Sequence, residues 1–168
     1  EVVVYDKFYF GNFLPKKNKH LKIVNGDIRD TKKISKHCKG SEIFIHLACI
    51  SNDASFELNN SLSKSINMDS FEPMVKAAKK ANIKRFIYAS SSSVYGISKK
   101  KNVTENHILK PLTLYNKYKG MCEPILKKYT DENFTGVTFR PATVCGYSPR
   151  QRFDVSVNIL TNHAVNNG

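Results

Sequence analysis

Short apolar runs alternate along this chain with stretches in which apolar residues recur every three or four positions. The β-branched run "EVVVY" (1–5) reads as a strand that ends at Asp6 and opens into a loop carrying Gly, Asn and Pro. "LKIV" (21–24) predicts a second strand, closed by "NGDIRD", and "TKKISKHC" one or two helical turns. "EIFIHLA" (42–48) is a third, apolar strand. Between Asn60 and Ala81, "MVKAAKKA" has helical spacing. "IKRFIYAS" (83–90) is another strand, ending in serines. A helix starts near Thr113 in "TLYNKYKGMCEPILKKY", where Pro124 predicts a kink or an interruption. "FTGVTFRPA" predicts the last strand, and the tail from about Phe153 reads as helix.

Strands that are apolar rather than alternating, separated by helices, predict an α/β fold with a parallel sheet covered on both faces. No internal repeat, domain linker or low-complexity tract divides the chain. In open α/β sheets ligands bind beyond the carboxyl ends of the strands. Here those ends carry Asp6, Asp27, Leu47-Ala48, Ser90-Ser91 and Arg140-Pro141, so polar and small residues collect where a cofactor crevice would lie.

At 168 residues the chain suits one domain with one core. Its 40% hydrophobic and 24% charged residues are ordinary for a soluble globular protein. No apolar run approaches the roughly 18–20 residues that span a bilayer, so no membrane partner is expected. "EVVVYD" does not read as a secretory signal. Cys38, Cys49, Cys122 and Cys145 are scattered without a C-x-x-C pair, which argues against a metal site or a disulfide framework and suits a reducing cytoplasm. Cys49 and Cys145 sit in apolar segments and are expected in the core.

The formal charge of +13 raises nucleic acid as a partner. The excess is mostly lysine, spread through "PKKNKH", "KAAKK" and "SKKKN" with no arginine stripe. Together with abundant asparagine it reads as a compositional bias, and no nucleic-acid partner is expected.

Within "LTLYNKYKG", Tyr115 and Lys119 stand one helical turn apart with Cys122 on the same face, while Lys117 and Tyr118 point elsewhere. The segments "GDIRD", "FIHLA", "YASSSSVYG", "YNKYK" and "FRPATVCG" follow one another in this order. Together they resemble the extended short-chain dehydrogenase/reductase family, in its NAD-dependent nucleotide-sugar epimerase/dehydratase branch, over essentially the whole chain.

The resemblance implies a Rossmann-like doubly wound parallel sheet of strand order 3-2-1-4-5-6. The glycine-rich unit that holds the pyrophosphate would precede residue 1, so the sheet is expected without its first strand and helix. Residues 1–168 would be a partial NAD-binding domain, with the substrate-binding region starting at about 145.

The same resemblance assigns roles. Asp6 would hydrogen-bond the adenosine ribose 2′-hydroxyl and repel a 2′-phosphate, favouring NAD over NADP, with Lys7 weighing against it and a turn-capping Asp as the alternative. Asp27 would accept from the adenine amino group and Ile28 pack on its ring, while Asp30 caps the next helix. Leu47 and Ala48 would pass along the middle of the cofactor, His46 being structural. Asn67 would hold a neighbouring loop or the cofactor, and Met68 and Met74 belong to the core. Pro141 falls where the backbone approaches the nicotinamide carboxamide.

Ser91 matches the catalytic serine, whose hydroxyl would bond the reacting sugar oxygen. Ser90, Ser92 and Ser93 are left as loop or surrounding groups. Dehydratases of this branch carry an Asp-Glu pair where this chain has Ser92 and Ser93, which favours epimerisation over 4,6-dehydration. A free tyrosine titrates near 10, and the Lys119 ammonium would make Tyr115 a better base. Lys119 would also bond the nicotinamide ribose. Tyr95 and Tyr118 are expected to pack structurally. Arg150 and Arg152 would meet a substrate phosphate, or are simply two exposed loop arginines.

The implied activity is an NAD-dependent epimerase acting on a nucleotide sugar through a transient ketone. A reductase or dehydrogenase of the same family would use the same three residues. Intact Ser91, Tyr115 and Lys119 argue against a cofactor sensor or nucleic-acid binder on this fold. A homodimer is implied for the full-length protein.

Overall fold

The computed structural model describes residues 1–16, 18–51 and 53–168. The strands are β1 (Val2–Asp6), β2 (Leu21–Asn25), β3 (Ile43–His46), β4 (Arg85–Ala89) and β5 (Thr135–Phe139). Between and after them lie α1 (Thr31–Cys38), α2 (Asp53–Glu57), α3 (Asn60–Lys64), α4 (Phe71–Lys80), α5 (Leu114–Tyr129) and α6 (Ser156–Asn167).

All the strand pairs are parallel. β1 pairs with β2, Val2 opposite Leu21, and β3-β4-β5 form a second sheet with Ile43 opposite Arg85 and Arg85 opposite Thr135. The α/β parallel class is therefore as expected, with the sheet divided between β1 and β3.

Within the described residues the helices of the core pack on one face of the sheet. Phe44, His46, Phe86 and Tyr88 point to one face and pack with Phe71, Met74 and Val75 of α4, Ile34 of α1, and Cys122 and Leu126 of α5. The opposite face leaves Ile43 52%, Ile45 59% and Phe139 54% exposed. Apolar character on both sides of a strand marks sides that can be buried, but α1, α4 and α5 all settle on one of them.

Local chemistry explains the starts of α1 and α5. The Asp30 side chain accepts from Lys33 N at 2.9 Å and caps α1, as expected. Thr113 does the same for α5, accepting from Asn116 N at 3.3 Å. α5 continues through Pro124 without interruption. A mid-helix proline costs about 3 kcal/mol, and burial of Cys122 and Leu126 on either side outweighs it.

The helical stretch expected over Asn60–Ala81 is instead three pieces: α3, a π-helical turn (Ser65–Asp69) and α4. Pro73 has no N–H to return to the Asp69 carbonyl, and the register changes there.

Two cysteine expectations are also corrected. Cys145 is exposed and Cys49 only half-buried, because both follow the strand ends into loops, while Cys38 and Cys122 are buried. α6 forms where the tail was expected to be helical, with none of its residues buried. Among the described residues no helix is long and apolar enough to cross a membrane.

Candidate functional site

The carboxyl ends of the strands build two adjoining regions. At the end of β1 and β2 a cavity of about 430 Å³ is lined by Asp6, Phe10, Asp27, Ile28, Ala48 and Arg150, among others. Asp6 ends β1, and its Oδ1 accepts from Phe8 N at 2.6 Å, turning the chain into a loop in which Phe8 takes φ +54. Gly26 precedes Asp27 because a Cβ there would lie 2.2 Å from the Tyr5 ring. Tyr5 then donates its hydroxyl to the Asp27 carbonyl at 2.9 Å.

The Asp27 carboxylate is held by its neighbour. Arg29 Nε donates to Oδ1 at 2.9 Å, Nη2 to Oδ2 at 2.6 Å, and its backbone N to Oδ1 at 3.0 Å. The Arg29 side-chain bonds are the main reason the carboxyl titrates at about 2, below its usual range. Both oxygens expected to meet an adenine amine are thus already engaged by Arg29.

Ala48 lines the cavity, whereas Leu47 stands 68% exposed. Asn67 lies on the π-helical turn and clamps one residue of the next loop. Its Oδ1 accepts from Ile50 N at 2.8 Å and its Nδ2 donates to Ile50 O at 2.9 Å. Its own carbonyl accepts from Cys122 Sγ at 3.4 Å. Of the two expected roles for Asn67, the structure places it on the loop.

His46 is buried and stacks on Tyr88, with ring centres 5.7 Å apart. Burial, and then the Lys119 charge, push its pKa down to about 3, so the imidazole is neutral and packs as an aromatic ring.

The second region lies where β4 and β5 end against the start of α5. Ser91 leaves β4 in an extended conformation and caps a 3₁₀ turn (Ser92–Tyr95). Gly96 closes that turn at φ +65, where a Cβ would sit 2.0 Å from the Lys110 carbonyl oxygen. Ser92 N donates to Pro141 O at 2.9 Å, so the expected nicotinamide-side proline is tied to the serine loop.

Lys119 is 5% exposed. Its Nζ donates to the Ala89 carbonyl at 2.7 Å and lies 5.2 Å from the Tyr88 ring centre and 6.0 Å from that of Tyr115. Tyr115 also faces Phe56, with ring centres 6.5 Å apart. The structure thus brings Tyr115 and Lys119 together beside the strand that leads into Ser91.

The two arginines diverge. Arg150 lays its guanidinium 3.4 Å from the Phe10 ring centre, in the wall of the first cavity. Arg152 pairs with Asp154 at 2.5 Å; its pKa is raised first by that hydrogen bond and, least, by Tyr115.

Two networks went unanticipated. Ser93 Oγ lies 2.6 Å from Ser91 Oγ and donates to Asn116 Oδ1 at 2.5 Å. Glu123 and Arg140 form an ion pair at 2.6 Å, with side chains only 10% and 19% exposed. Ser90 Oγ donates to Glu123 Oε1 at 2.6 Å, and Arg140 Nη1 donates to Tyr95 Oη at 2.8 Å and to Glu105 O at 2.9 Å. The Glu123 hydrogen bond leads in holding the Arg140 guanidinium above even its ordinary value. A signal existed: Tyr115, Lys119 and Glu123 repeat every four residues along one stripe of α5.

The model of the NAD dependent epimerase/dehydratase family matches residues 1–167. The chain belongs to that family.

One relative, the UDP-glucose 4-epimerase of Lactobacillus helveticus, is 31% identical over 133 residues, 75% of this chain and 38% of the relative. Short-chain dehydrogenase/reductase family 42E member 1 of Danio rerio is 27% identical over 154 residues, 84% of this chain and 40% of the relative. The chain therefore spans less than half the length of these curated relatives.

A solved UDP-N-acetylglucosamine 4-epimerase from Methanobrevibacter ruminantium M1 superposes with a TM-score of 0.85 at 23% identity, over 98% of this chain and 55% of that one. That likeness shows the Rossmann-like fold.

Proposed function

We propose that the whole protein is an NAD-dependent epimerase acting on a nucleotide sugar through a transient ketone. This chain would supply the cofactor domain and, from about residue 145, the start of the substrate region. The observation that carries the reading is the Lys119 ammonium, bonded to Ala89 and 6.0 Å from the Tyr115 ring centre, on the strand end that continues into Ser91.

The residues of the first cavity fit the cofactor. Asp6 Oδ1 is used by Phe8 N, and its other oxygen stands at the carboxyl end of β1, suited to a ribose hydroxyl. Ile28 offers an apolar wall, and the methyl of Ala48 lets the backbone be approached. NAD, when bound, supplies an acceptor and then a donor of hydride.

The chain's own groups would handle the proton. Ser91 Oγ and Tyr115 Oη would meet the reacting sugar hydroxyl, and Tyr115 Oη would take its proton. Lys119 would favour the phenolate by placing a positive charge beside it. The sugar, as a ketone, would present its other face before Tyr115 returned the proton. Ser92 and Ser93 offer no carboxyl group to remove water from the sugar, which supports epimerisation over dehydration.

A reductase or dehydrogenase is the second reading, favoured by the Danio rerio relative. The intact protein should be purified, denatured and analysed for released nucleotide, then given nucleotide hexoses with trace NAD. Stoichiometric NAD and hexose interconversion without net cofactor consumption would support the epimerase. Steady consumption of added cofactor would support the dehydrogenase instead, and bound NADP would refute the role given to Asp6.

A further inference from the structure

Ser91 stands between two residues that are bonded to one ion pair. On one side Ser90 Oγ donates to Glu123 Oε1 at 2.6 Å. On the other, at the end of the 3₁₀ turn, Tyr95 Oη accepts from Arg140 Nη1 at 2.8 Å. Glu123 and Arg140 meet as a fork, Nε donating to Oε1 at 3.0 Å and Nη2 to Oε2 at 2.6 Å. The pair also reaches past the turn. Arg140 Nη1 donates to the Glu105 carbonyl at 2.9 Å, and the next residue, Pro141, accepts from Ser92 N at 2.9 Å.

The same carboxylate belongs to the helix of Tyr115. Glu123 lies one turn beyond Lys119 and two beyond Tyr115 on α5. Lys119 bonds the Ala89 carbonyl and Glu123 bonds Ser90 Oγ, so consecutive residues entering Ser91 are held by consecutive turns of α5. Stability alone does not call for this arrangement. Apolar residues of similar size often match or exceed a buried ion pair in stability, but they cannot bond Ser90, Tyr95 and Glu105 at once.

We infer that Glu123 and Arg140 are positioning residues that fix the Ser91 turn against the Tyr115 helix, with Ser90 and Tyr95 as the links. Their task in turnover rests on the proposed epimerase reading. Ser91 and Tyr115 must meet one sugar oxygen together, and displacing a reacting group by about 1 Å can cost roughly 100-fold in rate. Glu123 and Arg140 themselves touch neither substrate nor cofactor; they act through the placement of Ser91.

Stability and positioning separate in the double variant Glu123→Leu/Arg140→Met of the intact protein. Its urea midpoint should lie above that of either single variant. Its kcat for a nucleotide hexose should stay roughly 10- to 100-fold down, with KM within about threefold. A kcat that recovers along with the midpoint would overturn the proposal.

Ser90→Ala and Tyr95→Phe each cut one link and leave the ion pair bonded. Each should lower kcat roughly 3- to 10-fold, the scale of one hydrogen bond. In a Ser91→Ala background each should change kcat by less than about twofold, because the effect passes through Ser91. Equal losses in both backgrounds, or no loss in either, would overturn the proposal.

One readout needs no turnover. Hydrogen exchange at the Ser92 amide, bonded to Pro141, should quicken at least about tenfold in each link variant as the turn loosens. Unchanged exchange would overturn the proposal. Quickened exchange in a protein that converts no nucleotide hexose would sink the epimerase reading and leave the tether standing.

Discussion

Lys119 Nζ donates to the carbonyl oxygen of Ala89 at 2.7 Å, tying the helix of Tyr115 to the strand that leads into Ser91. One ammonium thereby has two tasks: it satisfies a backbone acceptor at the end of β4 and places positive charge beside a phenol. Replacement by Met should remove both. We expect turnover of a nucleotide hexose to fall at least about 100-fold, the scale of losing an effective general base. Loss of the Ala89 partner should lower stability by about 1–3 kcal/mol, read from a urea midpoint. Turnover within tenfold of the unmodified protein would remove Lys119 from the chemistry.

The Glu123–Arg140 pair gathers the ends of β4 and β5, the 3₁₀ turn and α5, with both side chains largely out of solvent. Removing one partner of a buried pair costs about 3–5 kcal/mol because the other charge is left uncompensated. Glu123→Gln and Arg140→Met should each be strongly destabilising by denaturant unfolding. The double variant Glu123→Leu/Arg140→Met should be more stable than either alone. Additive losses would mean that the two charges do not act as a pair.

His46 titrates at about 3 in the folded chain against an ordinary 6.5, because burial disfavours its charge. Its folded pKa lies below its unfolded value, so the associated stability is complete above pH 6.5 and is lost as the pH falls toward 3. Over that window His46 should account for up to about 5 kcal/mol of acid destabilisation. His46→Phe keeps a ring against Tyr88 and should flatten the stability profile between these limits. An unchanged acid limb in thermal unfolding at a series of pH values would assign acid denaturation to other groups.

Asn67 satisfies both the N–H and the C=O of Ile50 from a π-helical turn. Asn67→Ala should leave two backbone groups without these partners and lower stability by about 1–3 kcal/mol. Because Ala48 and Ile50 line the cavity beyond β1, the same variant of the intact protein should bind NAD more weakly. Unchanged NAD affinity by calorimetry would confine Asn67 to structural support.

Strands β1 to β5 were legible because each is a short apolar run that carries its own signal, and the start of α1 because Asp30 needs only its neighbour three residues on. The four-residue spacing of Tyr115 and Lys119 likewise puts them on one face of any helix that contains them. The π-helical turn at Asn67 was not legible, since the sequence around it repeats apolar residues as an ordinary helix would.

Contacts between distant segments were beyond reach for a related reason. Ser93 meets Asn116 and Glu123 meets Arg140 only once β4, β5 and α5 are packed. Sequence periodicity reports the backbone within a turn or two, where spacing is set by covalent geometry. The sequence by itself therefore determined the parallel α/β class and the order of its elements. The tertiary structure decided which face of the sheet the helices of the core covered and where Arg150 came to rest against Phe10, because those depend on how whole elements settle against one another.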